Sequence, residues 1–328
     1  MTSSEFEFTF VADLGGTHLR SAIVDCNGQI HHRLKQSTPA ATSPSEIVQA
    51  LVAAAHECER QSKQEQDGSR ISAVSVAVPG TVDFEHGVVL TSPNIPCLNG
   101  FQLGAALGTQ LKLPAIVEND ANAAAVGEMW QGAGRGYNHL VCLTLGTGVG
   151  GGIILGGELW RGADGSAAEI GHIGVDPFAG VQCACGSRGC LEVYASATAI
   201  VRMTREAQPH YPSSALLTDD VTSERIYQAG LAGDELALEV FRRMGVYLGI
   251  GLATLINLLN PEIIVIGGGL SNGWDLFEKH MNQQVIERAF PLPAQSVKIT
   301  RAECGDDAGL LGAARLGFAR QRSGVGRT

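Results

Sequence analysis

The sequence has no excess of positive charge: 23 lysines and arginines stand against 33 aspartates and glutamates, for a formal charge of −10. That balance argues against a polyanion as partner, whether nucleic acid or an anionic membrane surface. Long apolar runs are also missing. None approaches the roughly 18 residues that a membrane-spanning helix needs, and the polar start MTSSEFEF does not read as a signal peptide. A soluble, cytoplasmic protein is therefore expected. There is no repeat array, no low-complexity tract and no GxxxxGK[ST] phosphate loop. The eight cysteines lack the spacing of a secreted disulfide scaffold, and five of them (Cys26, Cys58, Cys97, Cys142 and Cys304) are expected as reduced core thiols. With 328 residues and 45% hydrophobic content, the chain can bury the cores of two domains.

The informative chemistry is concentrated in residues 169–192, EIGHIGVDPFAGVQCACGSRGCLE. His172, Cys183, Cys185 and Cys190 offer one nitrogen and three sulfurs, a donor set that selects a tetrahedral zinc with no open position. Gly186 and Gly189 let the backbone fold back and bring Cys190 towards the other two cysteines. The alternatives are unrelated thiols near a surface histidine, or a redox pair, although a ring closed between Cys183 and Cys185 would be strained. A metal here would also hold two carboxylates, because Glu169 precedes His172 by three residues and Glu192 follows Cys190 by two.

Around this loop the pattern is α/β. Strand-like runs at 8–11, 21–25, 71–78, 114–118, 140–145, 262–266 and 297–300 are interspersed with helical periods at 45–58, 121–126, 191–207, 234–259 and 309–320. The polar run 61–69 reads as a surface loop. A strand, a glycine turn with a threonine and a returning strand occur twice, first at Asp13-Leu14-Gly15-Gly16-Thr17 and again at Gly146-Thr147-Gly148 with the glycine-rich 150–152 after it. Bare turns of this kind let backbone N–H groups approach a polyphosphate, and Asp13 can hold Mg²⁺ through water. A plain hairpin is the alternative for either. A dinucleotide fingerprint at 146–151 is excluded, because strand formers and not a helix follow it. Asp120 falls at a strand-to-helix joint, where a carboxylate serves either chemistry at the strand's end or simple helix capping.

The strings AEIGH and CACGSRGCLE resemble the signature of the ROK sugar kinases, the bacterial glucokinases and N-acetylhexosamine kinases of the actin-like ATPase superfamily. DLGGT matches that family's first phosphate motif, and the resemblance runs from Asp13 to Gly312. It implies a two-domain actin-like (ribonuclease-H-like) α/β fold with a central cleft and a zinc-stapled loop. Residues 1–118 with about 306–328 would form the small lobe, and 119–305 the large lobe carrying the zinc loop and the nucleotide-binding turn.

The implied reaction is phosphorylation of a hexose 6-hydroxyl by Mg·ATP, with glucose first and N-acetylmannosamine, N-acetylglucosamine, fructose or allose as alternatives. Polyphosphate is a further donor among relatives. By the same resemblance Asp120 is the general base, and Gly80, Asn94, Asn119, Glu169, His172 and Glu192 hold the sugar, His172 binding zinc as well. Asp13, Gly15, Gly16, Thr17, Gly146, Thr147 and Gly148 serve the phosphates and Mg²⁺, and Gly267, Gly268 and Gly269 the adenosine. A homodimer or homotetramer is expected. Relatives commonly carry glycine and tryptophan where this chain has Cys97-Leu98, so a differently shaped sugar-side loop is anticipated. A ROK repressor would need a winged helix ahead of Asp13, for which there is no room, and a non-catalytic sensor would be expected to lose the base or the phosphate turns.

Overall fold

The computed structural model describes residues 7–40, 43–65 and 70–324. The chain start, the end of the polar run at 66–69 and residues 325–328 of the expected small lobe lie outside these.

Strands β1 (Glu7–Leu14), β2 (His18–Asp25) and β3 (Ile30–Ser37) form an antiparallel meander. Helix α1 (Pro44–Glu65) then crosses over to β4 (Arg70–Val78), which pairs parallel with β1. The hairpin β5 (Thr81–Asp83) and β6 (Val88–Thr91) and helix α2 (Leu103–Leu111) lead to β7 (Ala115–Asn119), parallel to β4. The order of this first sheet is β3-β2-β1-β4-β7. Helix α3 (Asp120–Gln131) leads to the second sheet.

There β8 (Leu140–Leu145), β9 (Val149–Leu155) and β10 (Glu158–Leu159) repeat the antiparallel meander. Helices α4 (Glu192–Ala195), α5 (Ala197–Ala207), α6 (Ser223–Leu231) and α7 (Glu235–Leu259) precede β11 (Ile263–Gly267), parallel to β8. Helices α8 (Trp274–Arg288) and α9 (Pro291–Ser296) precede β12 (Lys298–Arg301), parallel to β11, and the order is β10-β9-β8-β11-β12. The last helix, α10 (Ala308–Gly324), returns to the first sheet. Each sheet is thus a meander followed by parallel crossovers, the repeat anticipated from the two strand–turn–strand segments.

Local sequence accounts for the main elements. β11 is buried along its whole length, as its unbroken Ile-Ile-Val-Ile run requires of a central parallel strand. The side chain of Asp234 accepts N–H bonds from Leu236 and Ala237 to start α7, and Asn260 ends it in a left-handed conformation just before Pro261. The buried face of α7, with Phe241, Met244, Leu248 and Leu252, joins Phe277 and Met281 of α8 in the core over the second sheet. Phe10, Leu14, Leu19, Ile47 and Leu51 centre the core on one face of the first sheet.

Two helices join the halves. α3 packs on β8 and β9, α10 packs on β1 and β4, and the two helices lie against each other. They touch through glycine: a side chain at Gly312 would overlap the Ala123 carbonyl, and one at Gly127 the Ala308 carbonyl.

Three local expectations are corrected. The run 191–207 is broken at Ser196, an extended residue whose hydroxyl accepts from Ala199 N and caps α5. Residues 61–65 belong to α1, where Lys63 pairs with Glu59 one turn back. Gly150, Gly151 and Gly152 lie within β9 and not in the turn before it. They are packing glycines: a Cβ on Gly152 would stand 2.5 Å from Ala125 Cβ of α3, and one on Gly151 2.5 Å from Ile170 Cδ1.

Candidate active site

Asp120 is the first residue of α3, but it does not cap the helix. Asn119 does so, its side-chain oxygen accepting from Asn122 N at 2.9 Å. The Asn119 amide nitrogen donates to the Gly80 carbonyl at 2.9 Å and to Asp120 Oδ1 at 3.1 Å. Gly80 has φ +112, and any side chain on it would run into the Thr91 carbonyl. Burial pushes the Asp120 carboxyl up to a pKa of about 7, with the negative charge of Asp13 adding to the effect.

Asp120 lines two cavities. On one side it meets Gly80, Thr81, Asn119, Gly165, Ala168 and Glu169. On the other it shares a cavity of about 190 Å³ with Asp13, Arg20, Thr144, Gly268 and Asp306. A proton acceptor therefore stands between a pocket rich in hydrogen-bonding groups and one carrying charged groups.

Glu169 reaches the first pocket through an unusual backbone path. Ala168 is left-handed with φ +65, and Glu169 follows at φ −69, ψ 56, an inverse γ-turn closed by Ile170 N donating to the Ala168 carbonyl at 2.7 Å. Nε2 of His172 lies 3.9 Å from the Glu169 carboxylate. The other candidates on this side are placed differently. Glu192 accepts from Val149 N at 2.9 Å and lies against Gly148, beside the second glycine turn. Asn94 sits against Gly16, where a Cβ would stand 3.2 Å from Asn94 Cβ. Leu98 is fully buried in the first core and Cys97 packs against that core, and neither is among the residues lining this pocket.

In the first glycine turn, Gly15 N donates to the His18 carbonyl at 2.9 Å and the Thr38 hydroxyl to the Gly15 carbonyl at 2.6 Å, with Gly16 and Thr17 exposed. Asp13 leads into this turn; its pKa is raised, chiefly by burial, although Arg20 counteracts. The second turn is tied to α5, whose Ala197 N donates to the Gly146 carbonyl, while the Thr198 hydroxyl donates to the Thr147 carbonyl. Gly146, Thr147 and Gly269 border a cavity of about 230 Å³ whose far walls include Ser223, Glu224, Tyr227 and Asn272. Gly267 and Gly268 line the charged cavity; Gly268 has φ +83, and a Cβ there would stand 2.5 Å from the Leu145 carbonyl.

The four metal-donor candidates come together, their ligand atoms all lying within 4.8 Å of one another. His172 Nδ1 is 3.7 Å from Cys183 Sγ, and Cys185 Sγ is 3.7 Å from Cys190 Sγ. A tetrahedron with metal–sulfur bonds of about 2.3 Å has edges of about 3.8 Å, so the donors fit a zinc-sized ion. The loop's shape is fixed independently, since Val181 N donates to Tyr194 Oη, which donates in turn to Asp176.

Several residues at the site carry no local sequence signal. Arg20 lies 3.6 Å from Asp13 and 3.1 Å from Asp306. Arg161 pairs with the buried Glu118 at 2.7 Å. Asp13 and Arg20 are cross-strand partners of one hairpin, but the Arg20–Asp306 and Arg161–Glu118 contacts join distant segments that only the folded chain brings together.

Comparison with known proteins bears on this arrangement. The chain is 35% identical to a glucokinase of Thermotoga maritima over 309 residues, covering 93% of this chain and 95% of that one. A solved ROK family glucokinase from Streptomyces griseus, in complex with glucose and AMPPNP, superposes with a TM-score of 0.80 at 36% identity, covering 95% and 99% of the two chains. A putative xylose repressor of Caldicellulosiruptor is 31% identical over 304 residues, which are 92% of this chain and 75% of that protein. The profile of the ROK family matches residues 9–320, and with relatives of this extent and identity the chain belongs to the ROK family.

Proposed function

We propose that the protein is an ATP-dependent glucokinase, converting glucose and ATP to glucose 6-phosphate and ADP. The observation that carries this reading is the position of Asp120 on the wall between the two cavities. The glucokinases among its relatives supply the substrate assignment.

The sugar occupies the pocket of Gly80, Asn119 and Glu169, with His172, Glu192 and Asn94 at its margins. Asn119 acts chiefly as a brace, because its amide is committed to Gly80, Asn122 and Asp120. Asp120 takes the proton of the 6-hydroxyl as the oxygen attacks the γ-phosphorus and the bond to the β-phosphate oxygen breaks. A carboxylate with a pKa of about 7 suits that role, as it is substantially ionised at neutral pH and a better proton acceptor than an ordinary carboxylate. The glycine turns at 15–17 and 146–148 offer backbone donors to the phosphates, Asp13 would hold Mg²⁺, which neutralises phosphate charge when bound, and the cavity beside Gly269 takes the nucleoside. Such a site works by position and electrostatics, as phosphoryl transfer requires. Residues 1–118 with about 306–328 form one lobe and 119–305 the other, and their closure excludes water.

Zinc bound by His172, Cys183, Cys185 and Cys190 would be structural, since protein fills every position. It would anchor the segment that begins at Glu169 and ends at Glu192. A regulatory, sugar-sensing role, as in the repressors of the family, is the second reading; the retained base and both phosphate turns favour catalysis. Among the described residues no helix is long and apolar enough to cross a membrane, consistent with a cytoplasmic enzyme. Light scattering distinguishes the expected homodimer or homotetramer from a monomer.

The test is a coupled assay with glucose, fructose, allose, N-acetylmannosamine and N-acetylglucosamine, each with ATP and with polyphosphate. Glucose with ATP is expected to give the highest kcat/KM, 2-deoxyglucose a lower one, and 6-deoxyglucose binding without turnover. A carboxylate that the bound sugar covers but leaves without its hydroxyl partner costs up to about 1–3 kcal/mol, which sets the upper scale of the deoxy penalty. An N-acetylhexosamine with the higher kcat/KM would sink the glucose assignment.

A further inference from the structure

Arg161 follows β10 of the second sheet, yet its guanidinium lies on the first. Nε donates to Glu118 Oε2 at 2.7 Å, and the guanidinium carbon stands 3.7 Å above the ring of Phe84, in the β5–β6 turn. Glu118, in β7, is only 2% exposed. Its other oxygen accepts from Asn119 N at 3.0 Å and from the Asn122 side chain at 3.1 Å. Those two residues bracket Asp120, and Asn119 also binds Asp120 directly.

The same arginine anchors the sugar-side loop. Its carbonyl accepts from Ala167 N at 3.1 Å, which closes the segment leading to Glu169. Within that segment Gly165, with φ +86, approaches the Val82 carbonyl of β5 so closely that a side chain would overlap it. Gly165, Ala167, Ala168 and Glu169 then line the pocket opposite Gly80 and Asn119.

We infer that Arg161 is a positioning residue that clasps the sugar-binding loop onto the strand bearing the base, so that one side chain sets the distance between the bound hexose and Asp120. The inference rests on the hexose-kinase reading. It follows from connectivity: Arg161 bonds to Glu118, Glu118 to the residues on either side of the base, and the arginine's own carbonyl holds the loop that ends in Glu169. The nucleoside cavity contains none of these groups. Planarity matters as well as charge, since the guanidinium stacks on Phe84 while pairing with Glu118.

The experiment is steady-state kinetics of Arg161→Met, Arg161→Lys and Glu118→Gln, with glucose and ATP varied separately. For Arg161→Met the glucose KM rises and kcat falls by about 10- to 100-fold, the scale of a misplacement near 1 Å, while the ATP KM stays within about twofold. Arg161→Lys, which keeps the charge but not the stacked fork, recovers part of the loss. The double variant Arg161→Met/Glu118→Gln is no worse than Arg161→Met, because the two residues act as one unit.

Glucose parameters within about twofold of wild type in folded Arg161→Met overturn the inference, and so do glucose and ATP KM values that rise in equal proportion, the pattern of general loosening. Should Arg161→Met not fold, the near-isosteric Glu118→Gln carries the test with the same criteria and a smaller shift. Asp120→Asn in the same assay separates the two readings. A near-normal rate there removes the base itself, whereas an inactive Asp120→Asn beside a normal Arg161→Met removes only the clasp.

Discussion

Burial raises the pKa of Asp120 and the charge of Asp13 raises it further, so a residue of the first sheet tunes the proton affinity of the residue that opens the helix towards the second. Asp120 at about 7 must lose its proton to accept another, so kcat/KM for glucose is expected to rise between about pH 6 and 8 and level off above. In the metal- and nucleotide-free protein, Asp13→Asn removes the repelling charge and moves the titration of Asp120 to lower pH. Asp120→Asn lowers kcat by at least about 10²-fold with little change in sugar affinity by calorimetry. An Asp120 titration, followed by carboxyl NMR in the metal-free protein, that is unmoved by Asp13→Asn contradicts the electrostatic link.

The same burial that serves catalysis weakens the fold. Asp120 binds its proton more tightly when folded than when unfolded, so its contribution is most favourable below the unfolded value of 3.8 and is lost as pH rises to about 7. Asp120→Asn, which cannot ionise, is expected to gain thermal stability relative to wild type across that window, with a constant difference at higher pH. Melting curves at several pH values measure this, and a difference independent of pH counts against a raised native pKa.

Elemental analysis of protein purified without added metal is expected to find one zinc per chain. Cys185→Ser removes one of the three thiolates, so zinc content and melting temperature should fall together. The glucose KM should rise more than the ATP KM, because the loop holds Glu169. Full activity in metal-free protein excludes a structural zinc.

Left-handed alanine at position 168 is strained by about 1–2 kcal/mol, and glycine recovers most of that less about 0.5–1 kcal/mol of backbone entropy. Ala168→Gly is therefore expected to stabilise the protein slightly, by about 1 kcal/mol or less, while raising the glucose KM as the γ-turn at Glu169 loses its fixed approach. A destabilised variant would mean that the alanine methyl packs better than its backbone angle costs.

What could be read from the sequence was whatever short segments carry by themselves. The donors at 172, 183, 185 and 190 lie within one loop, and α7 has both its cap and its stop in the adjoining residues. Asp120 and the cap could not be told apart locally, since Asn and Asp are both favoured there and only coordinates assign the capping bond to Asn119. The glycines at 150–152 look like a turn, but Gly150 and Gly152 are small because they face a helix some thirty residues earlier, and Gly151 because it faces Ile170. Arg20 and Asp306 are 286 residues apart, and Arg161 and Glu118 are 43 apart with α3 and three strands between. No periodicity or motif encodes such pairs.

The helix α10 covers Val11, Ala22 and Val24 with Leu310, Ala313, Ala314 and Phe318. On the ribosome those three strand residues emerge about 300 residues ahead of their cover. At about 5–20 residues per second, that face of the first sheet stays bare for about 15–60 s. The nascent chain therefore presents a sticky β-surface throughout that interval. Shielding of that face by a holdase is therefore expected to raise the yield in heterologous expression, and slower translation to lower it.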